Sequence, residues 1–343
     1  MTVIAKTALL KNLGATELLN SDQTGPFVGL HLGVPGVVHL RRTSDRGFIE
    51  TLDAPDEADP GWLFASLPNL KENLRVLETE TVDLLKMTSG TLMLRSVNSV
   101  FDTELRVYTV AKHHSGFKQH FTGPVVQQAD ASWLKGLNVR PFSLVMPPVV
   151  QGTLLLLATT GGTLVWDTGV DPGLPSSPKD TFLRALAGVP SGPFLLTDLG
   201  FFVVQVDGLT FCISGHTATF PQQVPSRIGA VKLTEIPAKR FGQALRAAGA
   251  LAAEGAHVTL APRHGVVTRN AYNQPVRFGL GELDPFLPFD LSQRSAKLLA
   301  DVQDQTEGDQ VTLYRAASAH DLLLFSLGNC LVQIRGGTST LPA

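Results

Sequence analysis

Cysteine is almost missing from this 343-residue chain: only Cys212 and Cys330 occur. Each sits in an apolar, strand-like run, where a thiol serves as a small buried hydrophobe. A disulfide framework is not expected, and since neither thiol belongs to a CxxC pair or a zinc-ligand spacing, no structural metal is expected either. A reducing, cytoplasmic compartment suits such a chain. Long hydrophobic runs are missing too. The densest, from Leu154 to Ala158, is strand-sized, far short of the roughly 20 apolar residues of a membrane span. The N-terminus lacks the charged flank, apolar core and small-residue cleavage site of a secretory signal. No P-loop, GxSxG or GxGxxG is present, and no low-complexity segment. Charge is sparse, 17% of residues with a formal net of -2, so bulk charge does not point to nucleic acid; how it is distributed matters more.

What is present is ample apolar material, 43% of the chain, enough for two or three domains of roughly 100 to 150 residues. A unit of one short amphipathic helix followed by two or three short strands recurs six times. The first helix is expected over Val3 to Leu13, with strands Phe27 to Leu32, Val37 to Arg42 and Phe48 to Leu52. The second, Pro68 to Leu77, precedes Val82 to Met87, Thr91 to Val97 and Asp102 to Thr109. The third, near Ala131 to Leu137 with Asp130 as N-cap, precedes Val149 to Ala158 and Thr163 to Asp167. The fourth, Pro178 to Leu186, precedes Gly192 to Thr197, Phe201 to Val206 and Leu209 to Ser214. The fifth, Ala238 to Ala253, precedes His257 to Pro262, Gly265 to Asn270 and Pro275 to Leu280. The sixth, Leu291 to Gln303 with Asp290 as N-cap, precedes Gln310 to Tyr314, Asp321 to Ser326 and Cys330 to Ile334.

Pro68, Pro178 and Pro237 fall at or beside helix starts, where a missing N–H is harmless. Ser89-Gly90, Gly161-Gly162 and Asp207-Gly208 suit hairpin turns between strands. The pattern lapses over Ala111 to Gln128 and Gly215 to Ala230. Linkers there leave three domains of two units each: 1–118, 119–228 and 229–343.

The six helices hold Lys6, Lys11, Lys71, Arg75, Lys135, Lys179, Arg184, Lys239, Arg240, Arg246, Arg294 and Lys297. Against these twelve basic residues stand three acidic ones, Glu72, Asp180 and Asp301, a surplus of nine, while the remainder of the chain has a deficit of eleven. Lys and Arg favour helices, but Glu favours them equally and is nearly absent. Spacings of three to five put most basic pairs on one face, opposite the leucines. Such a face suits the sequence-independent phosphate backbone of duplex DNA, with an acidic remainder that keeps the protein soluble.

With these residues in place, the chain resembles the DNA sliding-clamp family of the bacterial or phage type. The resemblance is strongest over LPNLKENLRVLETETVDLLKMTSGTLMLRSVNSVFDTELRVY, within Leu63 to Tyr108. It is also strong from the Phe220-Pro221 corner through IPAKRFGQALRAAGALAAEGAHVTLAPRHGVVTRNAYNQPVRF to Leu280. It implies an α+β clamp fold: three similar domains, each of two helix-plus-antiparallel-strand units, with helices lining a ring and sheets outside. It implies a non-enzymatic processivity factor that closes as a homodimer around duplex DNA, tethers a DNA polymerase, is opened by a clamp loader and needs no cofactor of its own. It also implies a pocket for short partner peptides, with Val150, Thr168, Gly169, Val170, Pro225, Val332 and Ile334 as its candidates. A monomeric processivity subunit and a β-rich structural protein are the alternatives.

Enzyme chemistry finds less support. Asp167-Thr168-Gly169 matches the aspartic-protease triplet, which needs a second aspartate to share its proton. The nearest imitation, Asp198-Leu199-Gly200, lies 31 residues on and has lost the hydroxyl. Ser176-Ser177-Pro178-Lys179 has the SxxK spacing of β-lactamases without the companion motifs. His113, His114 and His120 lie in a linker without carboxylate partners, and His216, His257 and His264 are scattered, so solvated or structural histidines are expected.

Overall fold

A computed structural model describes residues 2–19, 27–44, 46–56, 59–87, 90–97, 102–108, 123–130, 134, 137–174, 176–186, 193–216, 224–316 and 321–339. The chain order repeats. β1 (Thr2–Ala5) leads into α1 (Lys6–Thr16), followed by β2 (Phe27–His31), β3 (His39–Ser44) and β4 (Gly47–Thr51). β5 (Trp62–Ser66) leads into α2 (Leu67–Val76), followed by β6 (Thr81–Lys86), β7 (Thr91–Ser96) and β8 (Asp102–Tyr108). β9 (Val125–Asp130) opens the third passage, which continues with β10 (Val149–Gln151), β11 (Leu154–Thr159) and β12 (Gly162–Asp167). α3 (Asp180–Leu186) is followed by β13 (Pro193–Thr197), β14 (Phe201–Val206) and β15 (Leu209–Ser214). β16 (Val231–Pro237) leads into α4 (Ala238–Leu251), followed by β17 (Val258–Ala261), β18 (Gly265–Arg269) and β19 (Pro275–Phe278). β20 (Phe289–Leu291) leads into α5 (Gln293–Gln303), followed by β21 (Gln310–Arg315), β22 (Leu322–Leu327), β23 (Cys330–Arg335) and β24 (Gly337–Thr338). The helix expected near Ala131 to Leu137 lies mostly outside the described residues, and Asp130, expected as its cap, ends β9.

The main departure from expectation is the strand ahead of the helix. Val3 to Ala5 were expected to begin the first helix, but Thr2–Ala5 pairs antiparallel with β6, Thr2 opposite Leu84 and Ala5 opposite Thr81. In α1, α2 and α4 the residue before the helix, Ala5, Ser66 or Pro237, is extended and makes no side-chain cap. In α1 and α4 the first of the helix donors is met instead by backbone. The Lys6 N–H donates to the Glu80 carbonyl at 2.8 Å, and the Ala238 N–H to the Asp309 carbonyl at 2.9 Å. Only α5 of these four has a side-chain cap. It is Ser292, whose side chain accepts from the Ser295 N–H, while Asp290, the expected cap, lies in β20 and accepts from the Thr259 hydroxyl. The single strand expected over Val149 to Ala158 is two, reversing at Gly152 with φ of 55°.

The chain divides into two compact units. The first, Met1–Ala131 with Thr181–His216, holds a 12-stranded sheet in the order β1-β6-β7-β8-β5-β2-β3-β4-β15-β14-β13-β9. α1 and α2 bury Leu9, Leu13, Leu67, Leu70 and Leu74 in one core with Val28, Leu30, Leu63, Val82 and Leu94 of the strands. A second core stacks Phe182 of α3 against Phe194 and Phe202, ring centroids 5.5 and 5.1 Å away. The second unit, Ser132–Asp180 with Thr217–Ala343, holds a 7-stranded sheet, β10-β11-β12-β23-β22-β21-β16, and a 5-stranded one, β19-β18-β17-β20-β24. There α4 and α5 pack together, and Phe241 lies parallel to Phe325 at 5.8 Å. The Gly161-Gly162 turn fits below the start of α5: a Cβ on Gly161 would lie 2.4 Å from the Arg294 carbonyl oxygen, and Gly161 accepts from the Ser295 hydroxyl at 2.8 Å.

One regularity runs through both units. β4, third strand of the first passage, pairs with β15, third strand of the fourth, Phe48 opposite Cys212. β12 and β23, third strands of the third and sixth, pair likewise, Val165 opposite Leu331. The third strands of the second and fifth passages, β8 and β19, are the remaining two.

Candidate nucleic-acid interface

Each helix buries its leucines or aromatics, and α1, α2, α4 and α5 each turn at least one basic residue outward, as 3.6-residue periodicity allows. α4 buries Phe241, Leu245 and Ala248 and exposes Lys239, Arg240 and Arg246; α5 buries Leu298, Leu299 and Val302 and exposes Arg294 and Lys297. α2 exposes Arg75 and α1 exposes Lys11.

Exposure is not availability, because much of this charge already has a partner. Lys6 Nζ donates to the Leu77 carbonyl at 2.7 Å. Lys71 pairs with Glu17 at 2.7 Å, its side chain only 12% exposed. Lys11 pairs with Asp207 at 2.9 Å, Arg246 with Asp304 at 2.5 Å, and Lys297 with Asp301. The last three pairs are solvent-facing and worth about 0–1 kcal/mol each, so their cations can change partner. Arg75, Lys239, Arg240 and Arg294 are exposed and have no ion-pair partner among the described residues. Lys179 precedes α3 and Arg184 sits in its last turn, both half-buried. Lys135 lies outside the described residues.

The sheets' outer faces carry two apolar rows. In the second unit Val149, Leu156, Val165 and Leu331 lie side by side across β10, β11, β12 and β23, with Val224 packed on the row. Among the expected pocket residues, Val150 is half-buried, its N–H donating to the Ser177 hydroxyl at 3.0 Å. Thr168 donates its hydroxyl to the Thr153 carbonyl at 2.9 Å. Gly169 and Val170 are exposed and Pro225 is buried. Val332 and Ile334 require correction: at 0% and 1% exposed they face the core. Strand alternation gives the outer face to Leu331 and Gln333, residues the sequence reading passed over.

The matching row in the first unit, Leu195, Val203, Cys212 and Phe48, floors a cavity of about 410 Å³, walled by Glu50, Thr51, Gln205 and Thr210 among others. Next to it on β2, β3 and β5 is a buried polar cluster that the sequence did not signal. Arg41 binds Glu50 at 2.8 Å and lies 4.6 Å from the Trp62 ring centre. His31 Nε2 meets Asp59 Oδ1 at 3.0 Å. Burial, then the neighbouring His31, lowers the His39 pKa below its ordinary value. The Gly61 N–H and then His31 lower that of Asp59.

The motifs of enzyme chemistry resolve into local structure. Asp167 Oδ1 accepts the Gly169 N–H at 3.0 Å in a turn. No group of three or more His, Cys, Asp or Glu placed to hold a metal ion occurs among the described residues, nor does any helix long and apolar enough to cross a membrane.

No family model and no curated protein matches this sequence. Solved structures do match. A sliding clamp (DNA polymerase III subunit beta) from Bartonella birtlesii is 15% identical with a TM-score of 0.65, the match covering 98% of this chain and 99% of that one. A DNA polymerase sliding clamp from Pseudomonas aeruginosa is 16% identical with a TM-score of 0.61, over 98% and 99%. One from Bacillus subtilis is 15% identical with a TM-score of 0.60, over 98% of each chain. With this likeness along nearly its whole length, the chain has the α+β fold of the DNA polymerase sliding clamps.

Proposed function

We propose that this protein is a sliding clamp, a non-enzymatic processivity factor that encircles duplex DNA and tethers a DNA polymerase to it. The observation that carries the reading is the conjunction of the clamp fold over 98% of the chain with exposed Arg75, Lys239, Arg240 and Arg294 on its helices. Contacts from such side chains go to phosphate, which carries no sequence information, and phosphate-only contacts permit sliding. The three domains are 1–118, 119–228 and 229–343. The protein works in the cytoplasm without a cofactor, and a clamp loader opens it.

The ring is a head-to-tail homodimer. Third strands pair in β4–β15 and β12–β23, which leaves β19 of one copy to pair with the Asp102–Arg106 stretch of β8 of the next, since β8 meets β7 along that stretch and β5 only at Val107 and Tyr108. β19 has no strand beyond it among the described residues, and an open edge invites pairing. Arg277 on β19 and Asp102 and Glu104 on β8 are exposed and opposite in charge, and a heterologous contact repeated twice closes a ring. Partner peptides with an apolar motif dock on the outer face of the second unit, at Val150, Thr168, Gly169, Val170 and Pro225 beside the Val165–Leu331 row.

Solution mass, combined with retention on circular and linear DNA, tests the reading. A dimer that stays on nicked circles and runs off linear duplex is expected. A strictly monomeric protein at micromolar concentration, or equal retention on both forms, overturns it.

A further inference from the structure

The acidic partners of the helix cations stand in places that helix stability does not explain. A carboxylate is favoured at a helix N-terminus and disfavoured at the C-terminus by the macrodipole. α1, α2, α4 and α5 have no acidic residue in the first turn. The acids come at the other end. Glu17 is the C-cap of α1 and reaches Lys71 of α2; Asp304 is the C-cap of α5 and reaches Arg246 of α4. The same device thus appears once in each unit, linking the two helices of a packed pair. Asp301, in the last turn of α5, pairs with Lys297 four residues before it, the less stabilising order for an i,i+4 pair. Asp207 sits at the tip of the β14–β15 turn in a left-handed conformation, φ 51°, and reaches Lys11.

We propose that Asp207, Asp301 and Asp304 are internal competitors of the DNA phosphates, holding Lys11, Lys297 and Arg246 in pairs that a passing phosphate must displace. Glu17 and Lys71 form the covered equivalent, with the cation withdrawn altogether. The inference rests on the clamp reading and adds a regulator of grip to it. A phosphate that meets an unpaired cation releases a condensed counterion and gains the full electrostatic contribution. One that meets a paired cation must first separate it from its carboxylate, so the net gain per contact is small. Among the described helix residues the protein then touches DNA strongly through Arg75, Lys239, Arg240 and Arg294, and the interface stays loose enough for the duplex to move through it.

The test is fluorescence anisotropy of a labelled duplex oligonucleotide with the full-length protein, titrated at several NaCl concentrations. The variants are the triple Asp207→Asn/Asp301→Asn/Asp304→Asn and, separately, Arg240→Glu/Arg294→Glu. The triple variant is expected to bind on the order of tenfold more tightly at moderate salt, with log K against log salt steeper by roughly 0.9 per released cation. Thermal melting reports whether the pairs are mere struts between elements. Lower melting with an unchanged salt slope assigns them that role and overturns the proposal. If the wild type binds duplex and the Arg reversal weakens it, yet the triple variant binds with unaltered slope, the proposal fails and the clamp reading stands. If the wild type binds no duplex at any salt, both fail.

Discussion

The α1–α2 pair of the first unit and the α4–α5 pair of the second are built alike, and they differ in how much charge they offer. Each buries an apolar stripe, and each is tied by an acid at one helix's C-cap to a base on its neighbour. In the first, Lys6 is bound to a carbonyl, Lys71 is mostly covered and Lys11 is paired, so Arg75 is the exposed helix cation with no ion-pair partner among the described residues. In the second, Lys239, Arg240 and Arg294 are all exposed without one. A basic residue on a helix is therefore not yet a DNA contact. Its burial and nearest acid decide what it can do.

The largest effects test the packing beneath each pair. Phe241→Ala removes a fully buried ring stacked on Phe325 and should cost about 3–5 kcal/mol of stability, read by urea unfolding. Leu70→Ala, in the leucine core beneath α1 and α2, should cost about 2–5 kcal/mol. A loss of under 1 kcal/mol for either would mean that the pair it supports is not anchored by that core.

Charge reversal separates the pairs by function. Arg240→Glu/Arg294→Glu should lower duplex affinity on the order of tenfold and flatten the salt slope by roughly 0.9 per lost contact. Lys71→Glu places like charge beside Glu17 and should lower the melting temperature while leaving that slope nearly unchanged. The reverse pattern would move the DNA-facing charge to the first unit.

Capping draws a finer line. Ser292→Ala removes the side-chain cap of α5 and should cost about 1 kcal/mol. Ser66→Ala should cost almost nothing, since Ser66 makes no cap bond ahead of α2. Equal losses in chemical denaturation would contradict the strand-to-helix junction described above.

The smallest effect concerns pH and the first unit alone. Burial holds the His39 pKa below its ordinary value of 6.5, so the folded state binds fewer protons there than the unfolded one. Its contribution is complete above that value and is lost as pH falls through the depressed one. Melting temperature should therefore decline below neutrality, and His39→Gln should make the decline shallower. An identical profile in the variant would remove His39 as its source.

Much of the fold was legible in the sequence because turns punctuate it. Phe201 to Val206 and Leu209 to Ser214 were bounded by Asp207-Gly208, which does form a tight turn with both residues left-handed, φ 51° and 77°. Where punctuation is missing, elements were missed. β1, β5 and β16 run straight into helices across Ala5-Lys6, Ser66-Leu67 and Pro237-Ala238; Pro68 and Pro237 mark two of the helix starts, but no turn sets off the strand ahead of them. β9 begins within a stretch read as linker and ends at Asp130, read as a helix cap. The candidate site was legible only in part. Counting charge inside helices found the cations, but stopped short of Glu17 and Asp304, each one residue past a helix end. In β23 the pocket candidates Val332 and Ile334 are buried, following an alternation that only the partner strand settles.

The two cysteines lie in the two strand junctions, on opposite faces: Cys212 belongs to the outer row, and Cys330 precedes Leu331 and faces the core. Cys212 lies on β15 where it meets β4, and Cys330 on β23 where it meets β12. Neither is in a disulfide and both are buried, so each thiol is shielded from reagents while covered, and burial raises the Cys330 pKa well above its ordinary value. The chain thus contains two native clocks. The rate at which a thiol reagent labels Cys212 measures how often the β4–β15 junction opens, and the rate at Cys330 measures the same for β12–β23. Resolved by mass spectrometry of the two peptides, the rates rank the junctions by local opening free energy in the unmodified protein.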